Sequence, residues 1–458
     1  MSHIRLTLPL LCLLVPAVAG AADGIVYVYL QPFPSDASRL TFALASVSAV
    51  TGTGAEHPLD VRLPAVGAAE NSRQRLLAVG RLPAGSYAGF AVKVMRAALK
   101  GEQGEAALEV PEKPITLDFP FVVTGQKASV VWLALDYQHS VSSGFAFSPV
   151  FSARVAPRPL ASLAGFVSNT DADAITVFDR RLYQVAAVIP TCGGPAGMAL
   201  DQRSARLYVA CSRDDEIQAI DAAAGEIVDR SRLMPGDGPR ELALTPDGRT
   251  LVSVNTASDS ITFFDAGSLS RQERIAVGSG PGSVLVDPAG RRVFTLNARS
   301  STISVVDVAT RSLVATISTD AAPLRGQFSA AGDRLFVIHE RSPYVTVVDP
   351  RQLAVLRRAR LRLGISAIKV DSRRGLLYIG GRHDTMVEVY DPNALVPVDT
   401  IKLRRAVSYL TIDDQENRLY GVSPDSRSVV VASLADRRVV SEMDVGDGPC
   451  WVAVMGER

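Results

Sequence analysis

A short apolar run that closes on aspartate recurs through the last two thirds of the sequence. The run first appears as Ile175–Asp179, and the closing residues then follow at steps of 42, 44, 42, 42, 42 and 42. They are Asp179, Asp221, Asp265, Asp307, Asp349, Asp391 and, in a seventh copy, Ser433. A fixed period in the low forties, with several short strands per unit, is typical of β-propeller blades. The runs have the period-2 pattern of strands, which excludes helical repeats.

Seven such units fill residues 164–458 almost without remainder, so we expect a seven-bladed β-propeller there. In the third unit the pattern predicts four strands, Glu241–Leu244, Leu251–Val254, Ser260–Asp265 and Gln272–Val277. The repeat region opens at Gly165–Val167, which matches a second strand, and the chain finishes with Pro449–Val454, which matches an innermost strand. The C-terminal strand should therefore complete the first blade and close the ring, which leaves no open sheet edge between the first and last blades.

The N-terminal segment predicts export. His3 and Arg5 precede an apolar stretch from Leu6 to Val18, and small residues suited to cleavage follow it, so residues 1–21 are read as a signal peptide. The stretch is too short and too interrupted by proline to span a bilayer, and no later segment is long enough to do so. We therefore expect a periplasmic, secreted or cell-surface protein without membrane insertion.

Residues 22–155 alternate strand-like runs with turns, among them Ile25–Leu30 and Leu40–Val50, and predict a β-sandwich. A proline-rich linker, residues 156–163, follows before the propeller of residues 164–458. The Leu82–Tyr87 phrase and the Phe147–Val150 segment resemble a bacterial exported domain of unknown function with a transthyretin-like, carbohydrate-binding-like sandwich. Trp132 and Tyr137 are candidates for stacking on a sugar, although such rings also pack sandwich cores. The fold class expected is thus all-β, a sandwich followed by a propeller.

The propeller units resemble a more specific family. Leu207–Ala210 followed by Ile217–Asp221, the Pro246–Arg249 turn and Val314–Ile317 look like the YVTN-type β-propeller repeat of exported bacterial and archaeal surface proteins. No Trp-Asp dipeptide stands at the aspartate-ending strands, which argues against the WD40 variety. The resemblance implies fold, export and a role in binding ligands or proteins, and it names no universal catalytic residue.

One face of the disc holds the candidate ligand site. The loops between second and third strands, and those between blades, share this face, and Arg240, Arg325, His339, Tyr409 and Trp451 are expected to converge there on the mouth of the central channel. Arginine and aromatic side chains suit an anionic or aromatic ligand, or a peptide loop. The alternative is that these side chains form a solvated rim of the channel and bind no ligand.

A ring of mostly small residues lies ten positions before each closing residue on the same face. We interpret it as a position that builds the blade, satisfying loop backbone groups. Its members are Asn169, Cys211, Asn255, Asn297, His339, Gly381 and Ser423.

A metal site and a disulfide are also considered on this face. His339-Glu340 and His383-Asp384 occupy equivalent loops of adjacent blades, and two histidines with two carboxylates within reach could bind a divalent metal, although loop histidines are more often merely exposed. The prediction is no metal and no cofactor. Three cysteines remain after signal cleavage, and a disulfide between Cys192 and Cys211 is preferred, with Cys450 left free.

Composition and motifs bound the function. The 48 basic and 47 acidic residues give no electrostatic footprint for nucleic acid. There is no covalent-haem motif, phosphate loop, metalloprotease motif or nucleophile elbow, so positive evidence for an enzyme is lacking and no catalytic residue is named. We expect an exported, monomeric, non-catalytic binding or scaffold protein with a protein partner or a surface glycan. The alternative is a periplasmic small-molecule hydrolase or lactonase acting at the channel mouth.

Overall fold

The computed structural model describes residues 22–67, 72–101, 104–142 and 144–457. The predicted signal peptide, residues 1–21, lies outside them. Short helical turns occur at Ser35–Arg39, Tyr137–Ser140 and Ala161–Leu163. The first part of the described chain contains the strands β1 Gly24–Leu30, β2 Leu40–Thr51, β3 Glu56–Val61, β4 Ala65–Val66, β5 Arg75–Leu82, β6 Gly85–Gly101, β7 Gly104–Leu108, β8 Ile115–Val123, β9 Ala128–Asp136, β10 Val141–Ser142, β11 Ala146–Phe147 and β12 Val150–Val155.

Strands β1–β9 and β12 form two sheet layers that meet at β3, and we call these strands the N-terminal sheets. One layer has the order β12-β9-β1-β5-β3, and the other runs β3-β2-β6-β7, with β4 pairing β2 and β8 pairing β6. Their apolar faces enclose one core, in which Phe90 and Phe121 stack at 4.9 Å between ring centroids. The strands expected at Ile25–Leu30 and Leu40–Val50 are confirmed as β1 and β2.

Seven four-stranded antiparallel sheets follow, which confirms the predicted propeller. The first blade contains β13 Ala164–Asn169, β14 Ala174–Asp179, β15 Gln184–Pro190 and β40 Pro449–Val454; the second contains β16 Pro195–Asp201, β17 Arg206–Cys211, β18 Glu216–Asp221 and β19 Glu226–Arg232. The third contains β20 Pro239–Leu244, β21 Thr250–Asn255, β22 Ser260–Asp265 and β23 Arg271–Ala276; the fourth contains β24 Pro281–Val286, β25 Arg292–Asn297, β26 Thr302–Asp307 and β27 Ser312–Ser318; the fifth contains β28 Pro323–Phe328, β29 Leu335–His339, β30 Tyr344–Asp349 and β31 Ala354–Arg360. The sixth contains β32 Ile365–Asp371, β33 Leu376–Gly381, β34 Asp384–Tyr390 and β35 Pro397–Lys402; the seventh contains β36 Tyr409–Asp413, β37 Arg418–Ser423, β38 Ser428–Ser433 and β39 Val439–Asp444.

The ring closes with the C-terminal strand. Strand β40 pairs antiparallel with β13, with Phe166 opposite Ala453 and Val167 opposite Val452, so the last strand is the innermost strand of the first blade as predicted. A buried ion pair between Arg180 and Asp413 joins the first blade to the seventh near this closure. Because β13 is paired with β40, it has no open edge through which the sheet of the first blade could associate with another chain.

The recurring aspartate turns the chain between the third and fourth strands of a blade. The carboxylate of Asp307 accepts hydrogen bonds from the backbone N–H groups of Ala309 and Thr310, and these bonds lower its pKa, that of Thr310 most strongly. Short polar side chains favour turns because they satisfy backbone donors in this way. Ser433, the closing residue of the seventh copy, serves the same purpose by accepting from the N–H of Ala435.

The N-terminal sheets pack directly on the propeller. Tyr29 and Trp132 lie in one apolar cluster with Val185 of the first blade and Met443 of the seventh. Asp444 accepts hydrogen bonds from the guanidinium groups of both Arg73 and Arg75 at 2.7 Å. Trp132 is only 3% exposed and packs in the contact between the two parts of the protein, so this ring is not available to stack on a sugar and has a packing role.

The described residues contain no helix with the length and apolar character of a bilayer span.

Candidate ligand site at the channel mouth

A cavity of about 1060 Å³ opens at one end of the central channel. The inner strand of each blade begins at this end, as β20 does at Pro239, and the loops between second and third strands, such as the one from Asn255 to Ser260, lie beside it. We call this opening the mouth. Arginine dominates the charged side chains of its lining, which are Asp171, Arg240, Glu241, Arg299, Arg325, Arg382 and Asp425, and His383 lies among them.

Three of the five residues expected at the mouth, Arg240, Arg325 and Trp451, line the cavity, and Tyr409 lies next to Trp451. Arg240 is exposed in the cavity, and Arg325 lines its wall. Tyr409 and Trp451 stack on each other with ring centroids 4.0 Å apart, and the Arg325 guanidinium lies 4.9 Å from the centroid of each ring. A cation over aromatic faces is attracted by the ring quadrupoles, most strongly where water is excluded. The pair therefore holds the guanidinium in place at the base of the mouth.

Glu241 completes this cluster. Its carboxylate lies 3.5 Å from Nη1 of Arg325 and accepts a hydrogen bond from the Ser283 hydroxyl at 3.0 Å. The side chain is buried, and burial raises the pKa of the Glu241 carboxyl against the opposing effect of the Arg325 charge. A charge-assisted hydrogen bond is normally 2.7–2.9 Å long, so the longer contact leaves Arg325 with donors for a ligand.

The sequence analysis does not predict Glu241 as a site residue, although the repeat contains a signal for it. The repeat places one position of every inner strand on the channel wall, and its members are Gly197, Glu241, Ser283, Arg325, Ala367, Tyr409 and Trp451. These positions follow the same steps as the closing aspartates. When the seven repeat units are aligned, this position lies one residue beyond Arg240 in the third blade. It therefore identifies Glu241 together with Arg325, Tyr409 and Trp451.

The far end of the channel is occupied by the chain's own C-terminal residues. The carboxylate of Glu457 lies 2.7 Å from Nζ of Lys369 and accepts a hydrogen bond from the Thr411 hydroxyl. Gly456 donates its N–H to the side-chain oxygen of Gln202 at 2.9 Å, which fixes the tail against the second blade. Lys369 is buried, so Glu457 supplies the opposite charge that a buried ammonium requires.

His339 is the exception among the residues expected at the mouth. It is 1% exposed, with Nδ1 2.9 Å from the carbonyl oxygen of Tyr344 and Nε2 2.9 Å from the Thr319 hydroxyl. Burial lowers the pKa of His339 to about 4, so the ring is neutral at ordinary pH. The expectation that it converges on the mouth is wrong, because its side chain turns into the blade.

The position that His339 shares with Asn169, Asn255 and Asn297 does build the blades, but mainly through bonds to the third strand and not only to loop backbone groups. The amide of Asn255 donates to the hydroxyls of Ser260 and Thr262, and Asn297 does the same with Thr302 and Ser304. His339 makes the corresponding bond to the residue five positions later. The side chain at this position therefore ties the second strand to the third.

This burial also removes His339 from the metal site considered with Glu340, His383 and Asp384. Both of its ring nitrogens are engaged by protein atoms. His383 instead lines the mouth, while Asp384 lies 3.3 Å from a guanidinium nitrogen of Arg362. Within the part of the chain that the structure describes, no three His, Cys, Asp or Glu side chains are grouped to hold a metal ion.

Cys192 and Cys211 are joined in a disulfide, with Cα atoms 5.8 Å apart. The bond ties the loop that leads into the second blade to the end of strand β17. Cys450 is a free thiol that lines the mouth, where the Thr170 hydroxyl lies 3.1 Å from its sulfur. The arrangement matches the pairing preferred from the sequence.

A smaller cavity of about 440 Å³ lies between the N-terminal sheets and the first blade. Its lining is mostly apolar, with Val122 and Val155 exposed and Arg158 as its one charged residue. The Arg158 guanidinium already donates to the carbonyl oxygen of Ala224. Specific recognition needs placed polar groups as well as apolar surface, so the mouth is the stronger candidate site.

Known proteins resemble this chain in fold. A family model described as lactonase, 7-bladed beta-propeller, matches residues 231–323, which contain the third and fourth blades. A functionally unknown protein from Desulfotomaculum acetoxidans DSM 771 is similar at 13% identity with a TM-score of 0.55, over 63% of this chain and 98% of that one. Dihydro-heme d1 dehydrogenase NirN in complex with DHE is similar at 14% identity with a TM-score of 0.51, over 66% of this chain and 77% of that one. No curated protein matches.

Proposed function

We propose that this chain is a non-catalytic binding protein that holds an anionic ligand, either a small molecule or a loop of a protein partner, at the mouth of its propeller. The observation that carries the proposal is the lining of the 1060 Å³ cavity, where Arg240, Arg299, Arg325 and Arg382 surround one opening. Arg240 and Arg382 are exposed and have no ion pair among the described residues. Guanidinium groups bind carboxylates and phosphates in bidentate fashion, which makes these side chains suited to an oxyanion.

Arg325 is the proposed central contact of this site. Its position is fixed on one side by Glu241 and on the other by the stacked rings of Tyr409 and Trp451. A side chain that is already ordered loses little conformational freedom on binding, so more of the interaction energy appears as affinity. The same cluster would place an apolar or aromatic part of the ligand beside Trp451, which also lines the cavity.

The proposed setting is the periplasm or the cell surface, with the protein acting as a binding or scaffold module. Support comes from the apolar segment within residues 1–21 and from the sequence resemblance to exported YVTN-type propellers and to a transthyretin-like sandwich. In this proposal the propeller takes the ligand at its mouth, while the N-terminal sheets offer a second surface for a protein partner or a surface glycan. The contact of these sheets with the propeller would hold the two surfaces in a fixed relation.

The proposal is tested with citrate as a tricarboxylate probe in isothermal titration calorimetry. We expect saturable binding that weakens as salt is added, and a loss of at least tenfold in affinity for Arg325→Gln and for Arg240→Ala. Arg249→Ala is the matched control, because Arg249 is an exposed arginine on the turn at the opposite face of the third blade. Absence of citrate binding, or equal losses in the Arg249 variant, would overturn anion binding at the mouth.

The alternative is a small-molecule hydrolase or lactonase that acts at the same mouth. The observation in its favour is the lactonase family match over residues 231–323, which include Arg240 and Glu241. An assay of hydrolysis with a panel of lactones tests this alternative. Proton release is recorded with and without added divalent metal. Turnover that disappears in Glu241→Gln while the fold remains intact would favour this alternative over the binding protein.

A further inference from the structure

The cavity of about 440 Å³ between the N-terminal sheets and the first blade is a separate candidate site. Residues 128–131 of β9 line one side of it, and residues 186–189 of β15 line the other. We call this cavity the seam pocket. It shares no lining residue with the mouth, and its volume falls within the range of about 300–1,000 Å³ for small-molecule sites.

The end of strand β12 leaves the seam pocket open. Val155 lies opposite Val131 at the last paired position, and Ala156 then donates its N–H to the carbonyl oxygen of Val130. Pro157 follows, and it has no N–H with which to continue the pairing. The first residues of β9 therefore extend beyond β12, and they line the pocket.

The two walls of the seam pocket are held together beside it. Trp132 of β9 donates its indole N–H to the carbonyl oxygen of Val185 in β15, and both residues belong to the apolar cluster that joins the sheets to the propeller. Each of them is next in sequence to a residue that lines the pocket, Val131 and Ala186. Walls that are already ordered lose little conformational freedom when a ligand enters, so more of the interaction energy appears as affinity.

The lining of the seam pocket is mostly apolar. Phe121 and Val130 are buried parts of its wall, whereas Val122 and Val155 are 64% and 63% exposed. Removal of apolar surface from water favours binding in proportion to the area removed. An apolar ligand that enters the pocket would cover part of this exposed surface.

Arg158 is the one charged residue in the described lining, and its side chain is exposed. Its Nη1 donates to the carbonyl oxygen of Ala224. A Cβ atom on Gly225 would lie 3.8 Å from this Nη1 and 3.6 Å from Cδ1 of Ile189, so the guanidinium stands next to the apolar wall. A guanidinium has five N–H donors, and the bond to Ala224 leaves others free to bind a carboxylate.

We propose that the seam pocket binds a small amphiphile that carries one carboxylate on an apolar body. The apolar body lies between β9 and β15, and the carboxylate binds the guanidinium of Arg158. The mouth differs in this respect, because its four arginines suit a ligand with several negative charges. A single arginine beside an apolar cavity instead favours a monoanion. The inference does not depend on ligand binding at the mouth.

The test uses octanoate as the probe, below its micelle concentration, in isothermal titration calorimetry. Butanoate keeps the carboxylate and shortens the apolar chain, whereas octyltrimethylammonium keeps the chain and reverses the charge. We expect one octanoate to bind per protein chain, at least tenfold more tightly than either comparison ligand. Octanoate should also raise the melting temperature, because it binds the folded protein and not the unfolded chain.

Two substitutions test the two parts of the pocket. Arg158→Gln removes the charge at an exposed position and should weaken octanoate binding at least fivefold, with the melting temperature of the free protein unchanged. Ala187→Trp fills the space on the β15 side and should weaken octanoate binding at least tenfold. Arg249→Ala changes an exposed arginine of the third blade and is the matched control, so octanoate affinity should stay within twofold of the wild type. Excess citrate should not displace octanoate, since the mouth is a separate site.

Three results would overturn the inference. The first is octanoate that binds no more tightly than butanoate, or that is unaffected by both Arg158→Gln and Ala187→Trp; anion binding at the mouth would then still stand. The second is displacement of octanoate by citrate, which would place the octanoate carboxylate at the mouth. The third is a dimer that Val155→Asp converts to a monomer, with octanoate bound by neither form, because a second copy of the chain would then cover the pocket.

Discussion

Trp132 donates its indole N–H to the carbonyl oxygen of Val185 at 2.9 Å, across the contact between the N-terminal sheets and the first propeller blade. Gln74 binds the same residue, since its side-chain oxygen accepts the N–H of Val185 at 2.7 Å. An outer strand of a blade is thus satisfied by side chains that come from another sheet. The N-terminal sheets and the propeller are consequently held together by a buried, hydrogen-bonded contact.

Replacement of Trp132 by alanine should lower the free energy of unfolding by about 3–5 kcal/mol, as expected for loss of a large buried ring. Trp132→Phe should cost less, about 1–3 kcal/mol, because it keeps most of the apolar volume and leaves the Val185 carbonyl without its best donor. Urea denaturation followed by circular dichroism measures both changes. Phe145→Ala is the control, since that ring is 75% exposed and its loss should change little. Equal stability of the Trp132 and Phe145 variants would show that the sheets do not depend on this contact.

The buried His339 should make stability depend on pH between about 4 and 6.5. Burial lowers the pKa of this imidazole to about 4 in the folded protein, whereas an unfolded histidine has a pKa near 6.5. The unfolded chain therefore binds the proton more readily than the folded protein within this window. The contribution of His339 to the free energy of unfolding is fully present above pH 6.5 and decreases as the pH falls towards 4. The pKa difference corresponds to a loss of stability of about 3 kcal/mol. Urea denaturation at pH 4.5 and pH 7.5 is the measurement that checks it.

His339→Asn is the matched variant for this prediction, because the first, third and fourth blades carry asparagine at the equivalent position and use it to bond the third strand. The variant should fold and lose the part of the pH dependence due to His339, while carboxylates elsewhere titrate alike in both proteins. An unchanged difference between the two pH values would contradict a buried neutral imidazole.

Removal of residues 449–458 should open the propeller, because strand β13 loses its partner β40 and exposes an unpaired edge. We expect unfolding or self-association, detected by size-exclusion chromatography and thermal melting. A chain that ends at Glu457 keeps both β40 and the ion pair of Glu457 with Lys369, and it is the control for shortening of the terminus alone. A soluble monomer with a cooperative melt after removal of the whole strand would show that ring closure does not require it.

The propeller could be predicted from the sequence because its signal repeats: each closing aspartate makes a turn, and seven copies at nearly equal steps fix the blades and the role of β40. The cluster at the mouth was harder to predict, because neighbouring strand residues point to opposite faces and a shift of one position exchanges channel residues for others. The pattern selects Arg240 at that neighbouring position and passes over Glu241, and it places His339 at the mouth although the side chain of His339 turns inward. The role of Trp132 could not be found at all, since it depends on Val185, which belongs to a different sheet and lies far away in sequence.

Glu457 and Lys369 should depend on each other for stability at the far end of the channel. Lys369 is buried and Glu457 is partly exposed, so Glu457→Ala, which leaves the buried ammonium uncompensated, should lower the free energy of unfolding by up to about 3 kcal/mol, and Lys369→Met should lower it by less. The double variant should cost much less than the sum of the two single changes, because no unpaired charge remains in the channel. Denaturation of all four proteins under one condition gives the coupling energy. Additive losses would show that Glu457 does not reach Lys369 in solution, and that the C-terminal tail leaves the far end of the channel uncovered.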